Sequence, residues 1–166
     1  MSNTSLAIDV RGLTKRFGKL TAVNGVDIQV PEGQVWGFVG PNGSGKTTTI
    51  RMLCGLLRPD AGVGHCLGFD IRDETGHIKR QVGYMTQKFS FWEDLTVREN
   101  LEFTARIYEM PDTRRIVEQT LKDFGLEKRQ YQLAQQLSGG WKQRMALAAC
   151  MLHRPKLLLQ IGRAHV

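Results

Sequence analysis

The 166-residue sequence predicts an α/β fold. Three observations predict it. First, segments 8–11 and 26–30 alternate apolar and polar residues, which is the period of half-buried strands. Second, the run VWGFVG at 35–40 is apolar throughout, as a strand buried on both faces should be, and a glycine-rich loop follows it at once. Third, apolar residues recur at helical spacing in several later segments.

Local signals give the elements in chain order. Pro31 and Gly33 predict a turn after the N-terminal strands. The helix after the glycine-rich loop is expected over 46–57, because Pro59 restricts the residue before it. Thr96 and Glu99 have capping-box spacing and predict a helix to about residue 110. The remaining predicted elements are a strand at 82–85, helices over 112–124 and from about 140 to 154, and the start of a buried strand at 157–159.

The charge is unevenly distributed. The formal net charge is +7, from 23 basic and 16 acidic side chains, and the excess lies after residue 127, where no carboxylate occurs. Such an excess fits nucleic acid, an anionic membrane surface or a solvated face, and we expect no nucleic-acid partner. No apolar run approaches the ~18 residues of a membrane helix. Without a signal-peptide pattern, and with three scattered cysteines that suit a reducing compartment, we expect a soluble cytosolic chain.

The strongest chemical signal is the glycine-rich loop. Residues 40–48 are GPNGSGKTT and match G-x-x-x-x-G-K-[ST]. Phosphate oxygens need converging N–H donors, and a loop poor in Cβ atoms lets the backbone approach them. Lys46 would neutralise the β- and γ-phosphates, and the Thr47 hydroxyl would complete a Mg²⁺ shell. We expect a nucleotide site formed by Gly40, Pro41, Asn42, Gly43, Ser44, Gly45, Lys46, Thr47 and Thr48.

A second signal is LSGGW at 137–141, which opens the last predicted helix. Taken alone, it is equally an ordinary helix cap. Together with the phosphate loop and with Gln87 about forty residues after it, the layout resembles the ABC-type ATPase family from Leu13 to Leu159. The resemblance implies a P-loop NTPase core with N-terminal antiparallel strands and a helical subdomain.

The resemblance also implies roles for single residues. Phe17 would stack on adenine with Val23 beside it; the alternative, which we favour less, is that Phe17 is a plain core residue. Gln87 would join Thr47 at Mg²⁺. In this family two domains pair head to tail, so the signature loop would contact ATP held by the partner domain. The residues expected there are Ser138, Gly139 and Gly140.

The aromatic residues that follow Gln87 suggest a membrane partner. In the family, this region receives cytoplasmic helices of the transmembrane permease subunits, so we expect docking near Phe89, Phe91 and Trp92 rather than a buried hinge. Trp141 in the signature is most similar to exporters of the multidrug type. The implied function is the ATP-binding subunit of an exporter, peripheral on the cytoplasmic face of the membrane. The alternative is a soluble ABC-type ATPase that acts on ribosomes or nucleic acid.

The end of the sequence departs from the family pattern. After HRPKLLL the family continues with an Asp-Glu pair that serves Mg²⁺ and the attacking water, whereas this chain continues QIGRAHV. One back-translation of QIGRAHV resembles a sequencing-library adapter, so we expect a truncated, non-hydrolysing fragment. The predicted segments are a nucleotide-binding core at 1–87, a helical subdomain at 88–154, the start of the Walker B strand at 155–159 and a non-native tail at 160–166.

Overall fold

The computed structural model describes residues 5–86 and 90–161. They form two compact units that divide between Val82 and Gly83. The first unit contains β1 (Leu6–Phe17), β2 (Leu20–Pro31), α1 (Lys46–Leu53), β3 (Ala61–Cys66), β4 (Phe69–Asp70) and α2 (Thr75–Gln81). The strand β5 (Val82–Met85) begins at the division, and α3 (Val97–Ile107), α4 (Thr113–Asp123), α5 (Gly139–Met151) and β6 (Leu157–Gln160) follow it, with 3-10 turns at Glu127–Arg129 and Ala134–Gln136.

The first unit is built on an antiparallel sheet with strand order β2-β1-β3-β4. The two N-terminal strands predicted from alternation are confirmed, and each extends to twelve residues. Val10 and Leu13 on β1 are fully buried, which fixes the face of the sheet that points inward. The strands β3 and β4 and the helix α2 had not been predicted, because 61–81 is rich in glycine and charge and lacks a clear period.

The prediction of a strand at 35–40 is wrong. The segment has no regular secondary structure, and its apolar side chains are exposed, with Val35 fully accessible and Val39 at 87%. An extended segment is a stable strand only where neighbours satisfy its N–H and C=O groups. The strands within 5–86 and 90–161 pair in two other sets, β2-β1-β3-β4 and β5-β6.

Helix α1 is shorter than predicted and ends before Gly55. Gly55 has φ +69°, a left-handed conformation that terminates helices, and its N–H bonds to the carbonyl of Met52. A side chain at this position would also meet Thr75, at 3.0 Å from an ideal Cβ. The glycine, not Pro59, therefore ends the helix. Two buried cysteines lie near this region, Cys54 at the end of α1 and Cys66 on β3.

The second unit has a helical core. The three predicted helices are confirmed as α3, α4 and α5, and the Thr96–Glu99 capping box forms. Their apolar faces meet in one buried cluster with Val97, Leu101, Ala105, Val117, Leu121, Leu126, Ala134, Leu137, Met145, Ala148, Ala149 and Leu152. The shared cluster therefore holds α3, α4 and α5 together.

The strand predicted at 157–159 is confirmed as β6, but its predicted burial is wrong. Leu158 is 38% exposed, because β6 has β5 as its single neighbour among the described strands. The N–H of Ile161 continues the pairing to the carbonyl of Met85. No helix in 5–86 or 90–161 combines the length and apolarity needed to span a membrane.

Candidate functional site

The phosphate loop forms a tight turn packed against β2. Gly45 closes it with φ +85° immediately before α1. An ideal Cβ on Gly45 would lie 2.3 Å from the carbonyl oxygen of Ala22 and 3.1 Å from the Val23 side chain. Only glycine fits this approach, so the glycine of G-K-[ST] is here required by packing as well as by the pattern.

Lys46 folds back over the loop. Its Nζ donates hydrogen bonds to the carbonyl oxygens of Gly40 and Pro41, both at 2.5 Å, and lies 3.4 Å from the Ser44 hydroxyl. The ammonium group is thus held on the loop, at the place where backbone N–H groups of the turn and the first turn of α1 can converge on an anion. Thr47 is exposed at the start of the helix.

Phe17 and Val23 have different environments. Phe17 ends β1 with half of its side chain exposed, so it is not a core residue. The Lys15 ammonium lies 5.7 Å from the centre of its ring. Val23 is 4% exposed, and its side chain packs against Gly45. Phe17 thus presents a half-exposed ring, and Val23 packs beneath the position where Gly45 approaches Ala22.

The signature residues lie at the N-terminus of α5 in the second unit. Ser138 is the N-cap residue, and Gly139 and Gly140 form the start of the helix. All three are exposed, and within 5–86 and 90–161 no atom outside the helix's own backbone and the adjacent residues lies within 4 Å of an ideal Cβ on either glycine. The first turn of α5 therefore presents bare backbone to its surroundings.

Trp141, which replaces the common glutamine of the signature, is held by two arginines. The guanidinium carbons of Arg129 and Arg144 lie 4.4 and 4.7 Å from the centre of its ring. Such cation–π pairs contribute about 0.5–1 kcal/mol each at partly exposed sites. The tryptophan thus links the 3-10 turn at Glu127–Arg129 to α5, a contact that the sequence pattern did not predict.

The predicted docking residues are divided between core and surface. Phe91 is partly buried against the helical cluster, whereas Trp92 is 48% exposed and packs edge-on against Phe103, with ring centres 4.3 Å apart. Phe89 lies outside the described residues, as does Gln87, so the structure does not place either.

Sequence reasoning missed Asn100, a polar residue on the buried face of α3. It is 1% exposed, and its amide nitrogen donates to the carbonyls of Trp92, Leu95 and Thr96, while its oxygen accepts from the Trp92 N–H. A buried side chain that satisfies so many loop groups fixes the loop. The sequence signal that could have revealed this role is the polar Asn100 on the helix face that also carries Val97 and Leu101.

Among the residues that the structure describes, no cluster of His, Cys, Asp or Glu could hold a metal ion by itself. The phosphate loop fits a nucleotide by a different criterion. A side chain at Gly45 would collide with Ala22, so the loop keeps its backbone accessible, and the Lys46 ammonium lies on the turn. A hydroxyl such as that of Thr47 is a normal Mg²⁺ ligand when phosphates and waters supply the others.

A glycine-rich loop that lies against β2 and opens a helix, with its lysine folded onto the turn, is typical of a nucleotide-binding protein of the P-loop class. The family model described as ABC transporter matches residues 23–160. The chain belongs to this family.

Individual relatives agree with this assignment. The chain is 38% identical over 153 residues to "Probable multidrug ABC transporter ATP-binding protein YbhF" of Escherichia coli, with 91% of this chain and 26% of that protein covered. It is 39% identical over 154 residues to the daunorubicin/doxorubicin resistance ATP-binding protein DrrA of Streptomyces peucetius, with 92% and 47% covered. The chain thus spans half or less of the length of these curated relatives.

A solved structure shows the same fold. The ADP conformation of MJ1267, an ATP-binding cassette of an ABC transporter, superposes with a TM-score of 0.78 at 26% identity. The match covers 93% of this chain and 68% of that one. The P-loop NTPase fold predicted from the sequence is confirmed.

Proposed function

We propose that the protein is the ATP-binding subunit of a transporter that exports its substrate through separate membrane subunits. The observation that carries the proposal is the phosphate loop, where Gly45 lies against Ala22 and the Lys46 ammonium lies over the turn. The relatives support an exporter, since their names refer to multidrug transport and to daunorubicin and doxorubicin resistance.

ATP would be held by backbone N–H groups of Gly40–Thr48 and by Lys46, with the exposed ring of Phe17 available to adenine. Thr47 would contribute its hydroxyl to Mg²⁺, and Gln87 is the second proposed metal ligand. When bound, Mg²⁺ neutralises phosphate charge. The residues of this chain supply binding and orientation.

A second ATP-binding domain is the proposed partner of the signature. Ser138, Gly139 and Gly140 expose backbone N–H groups at a helix N-terminus, which suits a phosphate held by another domain. In a head-to-tail dimer each domain would complete the site of the other. ATP binding would then close the pair, and hydrolysis would reopen it.

Membrane subunits are the proposed partners of the region that contains Phe89, Phe91 and Trp92. A half-exposed tryptophan on a loop fixed by Asn100 is suited to receive a helix end. This arrangement would place the protein at the cytoplasmic face of the membrane.

The 166-residue polypeptide itself is proposed to be inactive in hydrolysis. Phosphoryl transfer needs carboxylates for Mg²⁺ and for the attacking water, and residues 128–166 contain none. Because the polypeptide retains the phosphate loop, nucleotide binding and ATP hydrolysis can be measured separately.

The test compares the unchanged protein with two purified variants by isothermal titration with Mg-ATP and by phosphate release. Lys46→Ala is expected to weaken ATP binding by about 10- to 100-fold, because a hydrogen bond to a charged group contributes about 1.5–3 kcal/mol. Lys79→Ala, which removes an exposed lysine on α2, is the matched control. Equal affinity in the two variants would refute the site, and phosphate release above the Lys46→Ala level would refute the predicted inactivity.

A further inference from the structure

Lys15 lies near the end of β1, two residues before Phe17. Its side chain is only 13% exposed, although lysine is mostly exposed in proteins. Its Nζ donates hydrogen bonds to the carbonyl of Arg58, at 2.8 Å, and to the carboxylate of Asp60, at 3.0 Å. The ammonium also lies 5.7 Å from the centre of the Phe17 ring, within the distance of a cation–π contact. Three contacts thus hold the lysine in one position.

Asp60 is attached to β1 by both its backbone and its carboxylate. Its N–H bonds to the carbonyl of Thr14 at 2.9 Å, and its second carboxylate oxygen accepts the Arg16 N–H at 2.6 Å. The Arg16 N–H and then the Lys15 ammonium hold the pKa of Asp60 below its ordinary value, so the carboxylate is charged at neutral pH. The carboxylate therefore offsets the lysine charge and keeps the ammonium beside β1.

The turn that carries Asp60 is also bonded from a second side. Nη2 of Arg72 donates a hydrogen bond to the carbonyl of Asp60 at 2.9 Å. Since Lys15 bonds to the carbonyl of Arg58, both ends of the turn at 58–60 have side-chain partners. The lysine ammonium is therefore anchored to a bonded turn and not to a single exposed side chain.

Strand register connects the Phe17 ring to the phosphate loop. Phe17 pairs with Leu20 across β1 and β2, and Ala22 follows two residues later on β2. The carbonyl of Ala22 lies against Gly45 of the phosphate loop. Two strand residues span roughly 7 Å. A nucleotide with its phosphates on the loop can therefore place its base at the ring.

We propose that Lys15 and Asp60 are positioning residues for the base of the nucleotide, because they hold the Phe17 ring in the orientation on which adenine stacks. The ring ends β1 and is half exposed, so the packing of the sheet alone does not fix it. The inference rests on the proposed function, since it takes Phe17 as the base contact. In this role neither Lys15 nor Asp60 contacts the phosphates, so their effect is confined to the base.

The test compares the affinities of the protein for Mg-ATP and for Mg-tripolyphosphate, which has phosphates but no base. Lys15→Met is expected to weaken ATP binding by about two- to fivefold, the size of a cation–π contact, and to leave tripolyphosphate binding unchanged. Lys15→Arg, which keeps a cation for the ring and for Asp60, should restore most of the ATP affinity. Asp60→Asn should show a smaller loss of the same kind. Lys19→Met, the same change at an exposed lysine of the same hairpin, is the matched control.

A double-mutant cycle with Phe17→Leu locates the effect in the ring. In that background Lys15→Met should leave the ATP affinity unchanged, because the ring through which Lys15 acts is gone. The contact itself is measured without nucleotide by NMR. The ring current of Phe17 should shift the proton resonance of the Lys15 ε-methylene group, and Phe17→Leu should remove that shift.

Three results would overturn the proposal: wild-type ATP affinity in Lys15→Met or Asp60→Asn, an equal loss of ATP and tripolyphosphate affinity, or a Lys15→Met effect that persists in Phe17→Leu. An equal loss would mean that the lysine acts on the phosphates or on the fold. Failure of the proposed function would appear instead as affinity for both ligands that does not depend on Lys46, while the ring-current shift of Lys15 remains. The two failures are therefore distinguishable.

Discussion

The two units hold their candidate residues in different ways. In the first, the phosphate loop is exposed, and its shape depends on left-handed glycine backbone and on the contact of Gly45 with Ala22. In the second, the signature begins a helix whose inner face lies in a closed apolar cluster, and side chains such as Asn100 fix the adjoining loop. Backbone geometry determines the first site, whereas side-chain packing determines the second.

The largest expected effect tests the second unit. Leu101→Ala removes a fully buried side chain from the helical cluster and should lower the free energy of unfolding by about 2–5 kcal/mol. Urea unfolding followed by helical circular dichroism measures it. Ile107→Ala, on the same helix but 62% exposed, should cost far less. Equal costs would mean that the cluster does not support this unit.

The next effect tests the first unit with a matched pair of glycines. Gly43 and Gly45 both have positive φ. An added Cβ at Gly43 meets no atom of the part of the chain that the structure describes, whereas one at Gly45 collides with Ala22. Gly43→Ala should cost about 1–2 kcal/mol from left-handed strain alone. Gly45→Ala should cost more and displace the start of α1. Amide exchange of Thr49, whose N–H bonds to the Gly45 carbonyl, should rise clearly more in Gly45→Ala. The reverse order would contradict the packing argument.

The smallest effect concerns the capping box at the start of α3. The Thr96 backbone N–H and the Thr96 hydroxyl both donate hydrogen bonds to the Glu99 carboxylate. These bonds, chiefly the backbone one, hold the pKa of Glu99 below its ordinary value. A lowered carboxylate pKa stabilises the fold above the ordinary pKa of glutamate, and this stabilisation is lost as the pH falls through the folded-state value. Thr96→Ala should cost about 1 kcal/mol at neutral pH.

The check is the thermal midpoint from pH 7 to pH 3. The difference between wild type and Thr96→Ala should shrink as the pH falls, because protonation of Glu99 weakens the box in wild type. The double variant Thr96→Ala, Glu99→Gln is the control and should show no further pH dependence from this pair. A difference that stays constant down to pH 3 would exclude Glu99 as the titrating partner.

The sequence predicted those features that depend on local chemistry. The strand period at 8–11, the phosphate loop and the capping box at Thr96 each follow from a few adjacent residues. The fold class was predicted correctly from strand alternation and helical spacing, although its third support, a strand at 35–40, is absent from the described structure. The domain boundary at 87–88 stays a prediction. The errors came from non-local effects. The segment 35–40 is apolar, yet burial requires partner strands, and α1 ends at Gly55 rather than at Pro59 because a glycine can adopt the terminating conformation.

The connections around the signature could not be predicted for a similar reason. Glu93 and Lys142, which form an ion pair, are 49 residues apart, and Trp141 contacts Arg129 across the 3-10 turns, so no sequence window contains these pairs. The role of Asn100 was also missed, but it could have been predicted, since a polar residue at an inward helix position indicates a buried hydrogen-bonding role.

The native thiols have a practical consequence for such measurements. Burial raises the pKa of Cys54 and Cys66 to about 12 and that of Cys150 to about 11, so hardly any thiolate forms at neutral pH. The Cys150 thiol, moreover, donates a hydrogen bond to the Tyr84 carbonyl. Because maleimide and iodoacetamide react with thiolate, a single cysteine introduced at exposed Ser138 would be labelled against a nearly silent background. A fluorophore there could report movement of the signature in real time.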